Sequence, residues 1–420
     1  VDYIVIKGQK RLVGEVNISG AKNAAVAILP AAIASQGICV IDNLPNIEDV
    51  SNLVKALESL GAECVFRDAH TLVVDSSKVT SHQLDDQLAK NTRASYYFMG
   101  SLLGRFKKAE VPLPGGCDLG SRPMDYHLKG FTALGATCIQ EHGVVKITAE
   151  KLVGASIYLD CPSVGATINI MLAAVFAEGT TTIENAAKEP HVVDTANFLS
   201  KLGARITGAG TDVIRIVGVD ALSGGEYTII PDQIETGTYM IAGAITNGDV
   251  TVRNVIPKHM DSITAKLHEM GCEITEGGDW IRVVSHGNLK PCEVKTSYYP
   301  GFPTDLQPQM AALLCKAKGT SMIMENIFEH RFRYVSELKR LGAYLKVEGR
   351  VAVTKGNNEF TGARVTATDL RAGAALIVAG LAAKGETIIG GLCHVDRGYE
   401  NFEDKFRALG ADIKRISQED

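Results

Sequence analysis

No apolar run in this 420-residue chain is long enough to cross a bilayer: the longest, Ala372 to Ala383 and Ile168 to Ala177, stop at Lys384 and Glu178. No charged n-region, apolar h-region and small-residue cleavage site open it, so a cytoplasmic location is expected. Its nine cysteines include no Cys-x-x-Cys pair, which excludes the usual zinc and dithiol signatures. Scattered and odd in number, they are expected to be free thiols of a reducing compartment. The ten histidines show no ligand spacing, and only His127 and His259 stand where a role could be sought. Neither sign of charge dominates: 43 Lys and Arg against 48 Asp and Glu leave −5, so a polyanion such as nucleic acid is not an expected partner. Gly-x-x-x-x-Gly-Lys-Ser/Thr and Gly-x-Gly-x-x-Gly are missing, which removes support for an NTPase or a dinucleotide enzyme. His-Glu-x-x-His and Gly-x-Ser-x-Gly are absent too.

What the chain does have is an internal period. A Leu-Gly-Ala-like triplet closes a helical pattern at Leu60-Gly61-Ala62, Leu134-Gly135-Ala136, Leu202-Gly203-Ala204, Met270-Gly271-Cys272, Leu341-Gly342-Ala343 and Leu409-Gly410-Ala411. The glycines stand 74, 68, 68, 71 and 68 residues apart. Each suits the left-handed position that ends a helix, and the residues after it read as strand. Small apolar helices end near Gly37, Gly104, Gly179, Gly248, Gly319 and Gly385, each followed by a short strand such as Ile38 to Asp42, Thr180 to Glu184 or Thr251 to Asn254. The repeat is therefore strand, helix, strand, helix and hairpin, a βαβαββ unit larger than the roughly 20–50 residues of a solenoid repeat. Six such units exceed what one core serves. Two three-unit α/β domains are expected, with a boundary near Gly224 to Pro231.

Each unit has two exposed junctions, and loops on a rigid scaffold concentrate function. The helix entries carry Lys22-Asn23, Arg93, Ser163, Asp232 with Glu235, Asp305 and Arg371. The strand exits carry Asn46, Cys117 to Arg122, Glu189, His259, Arg331 and Arg397. Singly, each has a plainer explanation: Ser163 and Asp305 as helix N-caps, the arginines as solvated charges. Together, Lys22, Arg93, Arg331, Arg371 and Arg397, with Arg122 close by, point to an anionic ligand, since guanidinium forks suit phosphate and carboxylate. Cys117 lies in the glycine- and proline-rich run Leu113 to Pro123. It is the cysteine expected to be exposed near a cation, a setting that lowers a thiol pKa, whereas most of the others read as core fillers.

Five segments resemble the enolpyruvyl transferases, and within them the branch that acts on UDP-N-acetylglucosamine: Ser19-Gly20-Ala21-Lys22-Asn23, Pro114 to Pro123, Ser163-Val164-Gly165-Ala166-Thr167, Pro300-Gly301-Phe302-Pro303-Thr304-Asp305, and Asp396-Arg397-Gly398-Tyr399. The resemblance runs from end to end. Its specific part is the Gly-Gly-Cys loop, which the sister branch acting on shikimate 3-phosphate lacks. The phrase Pro162 to Ile170 resembles the second paralogue found in Gram-positive bacteria.

The resemblance implies two inside-out α/β domains, each of three repeated βαβαββ units whose helices are partly buried. Residues 22–229 would form one, carrying Cys117; residues 1–21 and 230–420 the other, carrying Asp305, Arg331, Arg371 and Arg397. It also implies a cleft that closes on the nucleotide sugar. The implied reaction passes the enolpyruvyl group of phosphoenolpyruvate to the 3-hydroxyl of UDP-N-acetylglucosamine. Cys117 would deliver a proton to phosphoenolpyruvate and Asp305 take one from the sugar hydroxyl. Lys22, Arg122 and Arg397 would hold the phosphate, Arg331 and Arg371 the carboxylate, and Asn23 the reacting centre. The nucleotide sugar would contact Arg93, the run Arg122, Pro123, Met124, Asp125 and Tyr126, then Ser163, Val164, Gly165, Asp305 and Ile327, with His127 and Glu189 at the edge. Fosfomycin would alkylate Cys117, which in this family also forms a thioether with phosphoenolpyruvate. Cys161 stands where relatives carry lysine, which puts a diphosphate contact there in doubt and makes Cys161 a second candidate for alkylation. No cofactor and no metal are expected, phosphoenolpyruvate being a co-substrate, and the chain is expected to be a monomer with no nucleic-acid or membrane partner. Transfer to shikimate 3-phosphate, or binding of a nucleotide sugar without catalysis, stay open as alternatives.

Overall fold

The computed structural model describes residues 2–91, 93–113 and 124–417. These fall into two compact units, one of residues 2–19 and 231–417, the other of 20–113 and 124–230. Each unit carries three sheets. No helix among the described residues is long and apolar enough to cross a membrane.

The repeat is clearest at residues 156–217. Strand Ser156–Tyr158 leads into helix Val164–Ala174, and strand Thr180–Glu184 then pairs parallel with the first. A parallel pair needs such a crossover. Helix Pro190–Lys201 follows, and the hairpin Arg205–Thr207 and Val213–Val217 adds antiparallel strands. All six triplet glycines adopt φ between +95° and +110°, the conformation that Gly tolerates and a Cβ resists.

Two details differ from the sequence expectation. The strand expected at Thr251 to Asn254 begins earlier, at Asp249–Arg253. In the second repeat the first strand shrinks to one parallel bridge between Gln83 and Glu110, which leaves a three-stranded sheet.

Strands are also exchanged along the chain. Val13–Asn17 pairs parallel with Asp249–Arg253, while the helix that follows it, Lys22–Ala32, lies in the other unit. Gly225–Thr228 pairs parallel with Ile38–Asp42, while its following helix, Gln233–Ile245, lies in the first. Asp2–Lys7 runs antiparallel to both Glu386–Gly390 and Asp412–Ser417.

The first helix of each repeat forms the core: α1 (Lys22–Ala32), α2 (Tyr97–Phe106), α3 (Val164–Ala174), α4 (Gln233–Ile245), α5 (Gln307–Lys316) and α6 (Leu370–Ala382). Their sequences are nearly free of charge beyond the ends, and a helix apolar all round must be covered on every side. Leu376, Ile377 and Val378 of α6 are fully buried, each burial contributing about 1.5–3 kcal/mol. Glycine sets how close α2 and α3 come. A Cβ on Gly100 would lie 2.3 Å from the Asn169 carbonyl oxygen.

An asparagine lock repeats at the strand exits. The side-chain amides of Asn43, Asn185, Asn254 and Asn326 donate to the carbonyls of Ile229, Leu159, Ile18 and Thr296 at 2.8–2.9 Å. Each acceptor is the first residue after a strand that feeds a core helix. The lock therefore fixes the loops that carry the helix-entry residues.

Candidate active site

In the unit of residues 20–230, Lys22 is the first residue of α1, after an extended Ala21 that makes no side-chain cap. Its ammonium stands 3.0 Å from the carboxylate of Asp49, which is buried in the first turn of helix Glu48–Ser59. Asn23 follows on the same turn, half-buried. Ser163 caps α3, its hydroxyl accepting from the Ala166 N–H at 3.2 Å, so the plainer reading of this residue holds for its part in the fold. Val164 and Gly165 form the first turn. Gly165 is pressed against other side chains, and a Cβ there would lie 3.0 Å from His127 Cε1 and 3.2 Å from the Tyr96 hydroxyl.

His127 is buried in helix Asp125–Ala133. Asn169 donates one amide hydrogen to the Tyr96 carbonyl at 2.9 Å and the other to His127 Nδ1 at 3.0 Å, while its oxygen accepts from Gly100 N–H at 2.8 Å. The amide thus makes Nδ1 the acceptor and leaves the imidazole proton on Nε2. Burial pushes the ring down to about 4 from 6.5, so His127 is a neutral hydrogen-bonding group at pH 7. Acidification from about 6.5 toward 4 protonates this ring in the unfolded chain while the fold refuses the proton. Stability should fall by roughly 3 kcal/mol over that window. His127→Gln, which cannot titrate, should flatten this part of the profile in urea unfolding at pH 7 and pH 4.5; equal slopes in both proteins would contradict it.

Met124 precedes the same helix, Asp125 is exposed and Tyr126 half-buried. The Cys161 thiol beside the Tyr126 hydroxyl raises the phenol pKa. Arg93 opens the turn Arg93–Tyr96, and its backbone alone is described. Glu189 stands before helix Pro190–Lys201. Cys117, Arg122 and Pro123 lie outside the described residues.

In the other unit, Asp305 sits in the turn Thr304–Leu306 that opens α5. Its two carboxylate oxygens accept from Arg331 Nη2 at 3.0 Å and from Arg371 Nη2 at 3.2 Å. The arginine side chains are 2% and 5% exposed, the Asp305 side chain 25%. Burial works against the Arg371 cation, yet Asp305, Tyr399 and Asp232 together outweigh it and hold the pKa above its usual value. Arg371 lies in the first turn of α6, whose N-cap Asp369 accepts from the N–H groups of Arg371 and Ala372 at 2.9 and 3.0 Å. Asp232 caps α4 in the same way. Fully buried Glu325 accepts from Thr304 beside Asp305 and from the N–H groups of Ile327 and Phe328, which fixes the Ile327 loop. Arg397 follows the short helix Leu392–Val395, half-buried. Its neighbour Asp396 is gripped by both Nη groups of Arg415 at 2.6 and 3.0 Å. His259 packs edge-on against Tyr299, and burial lowers its pKa.

Sequence reasoning brought Asp305, Arg331 and Arg371 forward as separate junction residues; the structure gathers them into one cluster. It missed Asp49, Asn169, Glu325 and Asp369. Only Asp369 carried a local signal, as an N-cap two residues before Arg371. Cys393 departs from the reading of most cysteines as core fillers: on its short helix it is exposed.

A family profile described as EPSP synthase (3-phosphoshikimate 1-carboxyvinyltransferase) matches residues 6–406. The chain is 57% identical over 416 residues to UDP-N-acetylglucosamine 1-carboxyvinyltransferase 2 of Clostridium acetobutylicum, covering 99% of each chain. It is 54% identical to the protein of the same name from Geobacillus kaustophilus, covering 100% of this chain and 98% of that one. The crystal structure of the enolpyruvyl transferase NikO from Streptomyces tendae superposes with a TM-score of 0.90 at 28% identity, covering 100% and 99%. EPSP synthase from Acinetobacter baumannii shares the fold, with a TM-score of 0.76 at 20% identity over both chains.

Proposed function

The chain belongs to the EPSP synthase family of carboxyvinyl transferases, and from that premise we propose that it transfers the enolpyruvyl group of phosphoenolpyruvate to the 3-hydroxyl of UDP-N-acetylglucosamine with release of phosphate. This is the first committed step of peptidoglycan synthesis. The observation that carries the reading is the 57% identity, across 99% of both chains, to a transferase named for that nucleotide sugar. The sister reaction on shikimate 3-phosphate has weaker support, since the two Acinetobacter baumannii EPSP synthase structures share only 20% identity with this chain.

The chemistry divides among the proposed residues. Protonation at C3 of phosphoenolpyruvate makes C2 electrophilic, and Cys117 is the proposed donor. The 3-hydroxyl attacks C2 as it loses its proton to Asp305. The tetrahedral adduct then gives up a proton from its C3 methyl to the departing phosphate as the bond from C2 to the phosphate oxygen breaks and the C2–C3 double bond re-forms. Solvent exchange resets Cys117 and Asp305. Lys22, Arg122 and Arg397 are assigned to the phosphate, Arg331 and Arg371 to the carboxylate, and Asn23 to the reacting carbon. Arg93, Arg122 to Tyr126, Ser163 to Gly165, Asp305 and Ile327 are assigned to the nucleotide sugar, with neutral His127 contributing hydrogen bonds at its edge. Preorganised cations of this kind stabilise charge without reorganisation at the moment of reaction.

The Asp305 cluster supports an order of events. Asp305 is a counter-ion of both buried arginines. A substrate carboxylate pairing with the same guanidiniums competes with Asp305 for them. That competition would release Asp305 to accept the hydroxyl proton only once phosphoenolpyruvate is in place.

Phosphate release from phosphoenolpyruvate tests the proposal, run with UDP-N-acetylglucosamine, with shikimate 3-phosphate, and with neither. Release with the nucleotide sugar alone supports it. Release with shikimate 3-phosphate moves the chain to the sister reaction, and silence in all three favours binding without catalysis.

A further inference from the structure

Behind Arg371 lies a buried polar cluster that no step above employs. It joins Thr238 in α4, Gln309 in α5 and Tyr399, two residues beyond Arg397. The Tyr399 hydroxyl has three neighbours: Thr238 Oγ1 at 3.0 Å, Gln309 Nε2 at 3.2 Å and Arg371 Nη1 at 3.3 Å.

With Gln309 turned so that Nε2 faces both hydroxyls and its buried Oε1 has no partner, proton bookkeeping leaves one arrangement. Thr238 spends its hydroxyl proton on the Ile234 carbonyl at 2.8 Å, so it accepts from Tyr399. Gln309 donates one hydrogen to Thr238 Oγ1 at 3.1 Å and the other to Tyr399. A hydroxyl has one proton and two lone pairs. With its proton committed to Thr238, the Tyr399 oxygen presents one lone pair to Gln309 and the other to Arg371. Both hydroxyls are then fully satisfied, and the phenol cannot turn away. Burial raises the phenol pKa, which keeps it neutral at working pH. The ring is fixed as well, stacked on Phe402 with centroids 4.3 Å apart.

We infer that Tyr399 is a positioning residue for the reaction: its oxygen holds Nη1 of Arg371 while Asp305 holds Nη2, so the guanidinium is presented in one orientation to the carboxylate of phosphoenolpyruvate. The inference rests on the proposed function for the identity of that carboxylate. One short segment, 396–399, thereby carries both the cation assigned to the phosphate and the hydroxyl that orients a cation assigned to the carboxylate.

Tyr399→Phe tests this, because it deletes the hydroxyl and keeps the stacked ring. The variant should raise the KM for phosphoenolpyruvate about tenfold, the loss of a hydrogen bond to a charged group, and leave the KM for UDP-N-acetylglucosamine within about twofold. In an Arg371→Lys background the same change should have almost no further effect. Equal rises in both KM values, an unchanged phosphoenolpyruvate KM, or fully additive losses would overturn it. Nitrogen-15 NMR of the arginine side chains supplies a readout free of turnover. Arg371 should show separate, slowly exchanging Nη signals in the unmodified protein and averaged ones in Tyr399→Phe; signals that stay separate in the variant count against Tyr399. If the unmodified protein releases no phosphate, the functional reading fails alone, and the NMR comparison still decides the role of Tyr399.

Discussion

Asp305→Ala should lower kcat by about 10²–10⁴-fold, the range for removing a positioned general base. The loss has two components, and they can be separated. Arg331 and Arg371 are almost wholly buried against this carboxylate, so alanine leaves two guanidiniums without it. Breaking a buried ion pair from one side costs about 3–5 kcal/mol, and the partial exposure of Asp305 reduces that cost. Asp305→Asn keeps the shape and one acceptor but no base, and should lose the same turnover with a smaller loss of stability. Binding distinguishes chemistry from architecture. With the competing carboxylate removed, phosphoenolpyruvate should bind either variant at least as tightly as before, measured calorimetrically with the nucleotide sugar present. Near-normal turnover in Asp305→Asn would reduce the residue to a counter-ion.

Cys117→Ser should lose a comparable share of turnover, about 10²–10⁴-fold, because a serine hydroxyl is too weak an acid to replace a thiol as proton donor. It should also survive fosfomycin. Mass spectrometry of the treated unmodified protein should place the adduct on the peptide containing Cys117. Full sensitivity in the serine variant would move alkylation to another thiol. Among the described residues, Cys393 is exposed and Cys161 partly so, and peptide mapping separates the two. Normal turnover in Cys117→Ser would remove the thiol from the proton transfer.

Much of the fold was legible in the sequence because its signals are local. The six glycines could be found because each ends a helix in a backbone conformation that other residues resist. The core helices announced themselves by lacking charge along their lengths. The strand exchange left no such trace. Nothing in Val13–Asn17 says that its partner is Asp249–Arg253, and only the family resemblance placed the first twenty residues with the second half. The site divides similarly. Junction residues were visible as polar side chains at loop positions, but their partners come from remote segments: Lys22 meets Asp49, and Arg371 meets both Asp305 and Tyr399. Cys393 was not singled out because a four-residue helix has too few positions to show which side is covered.

The exchanged strands also set a timetable for synthesis. Residues 20–230 contain every strand and helix of their unit, so that unit can close while the rest is still being made. Asp2–Lys7 cannot pair until Glu386–Gly390 and Asp412–Ser417 exist, roughly 380 residues later. At about 5–20 residues per second that is on the order of 20–80 s. Throughout, the apolar run Tyr3-Ile4-Val5-Ile6 stays an open strand edge able to join another nascent chain. Asp2 and Lys7 flank it, the charged gatekeepers that slow such encounters. Neutralising both should shift freshly made protein into the insoluble fraction while barely altering the stability of molecules already folded.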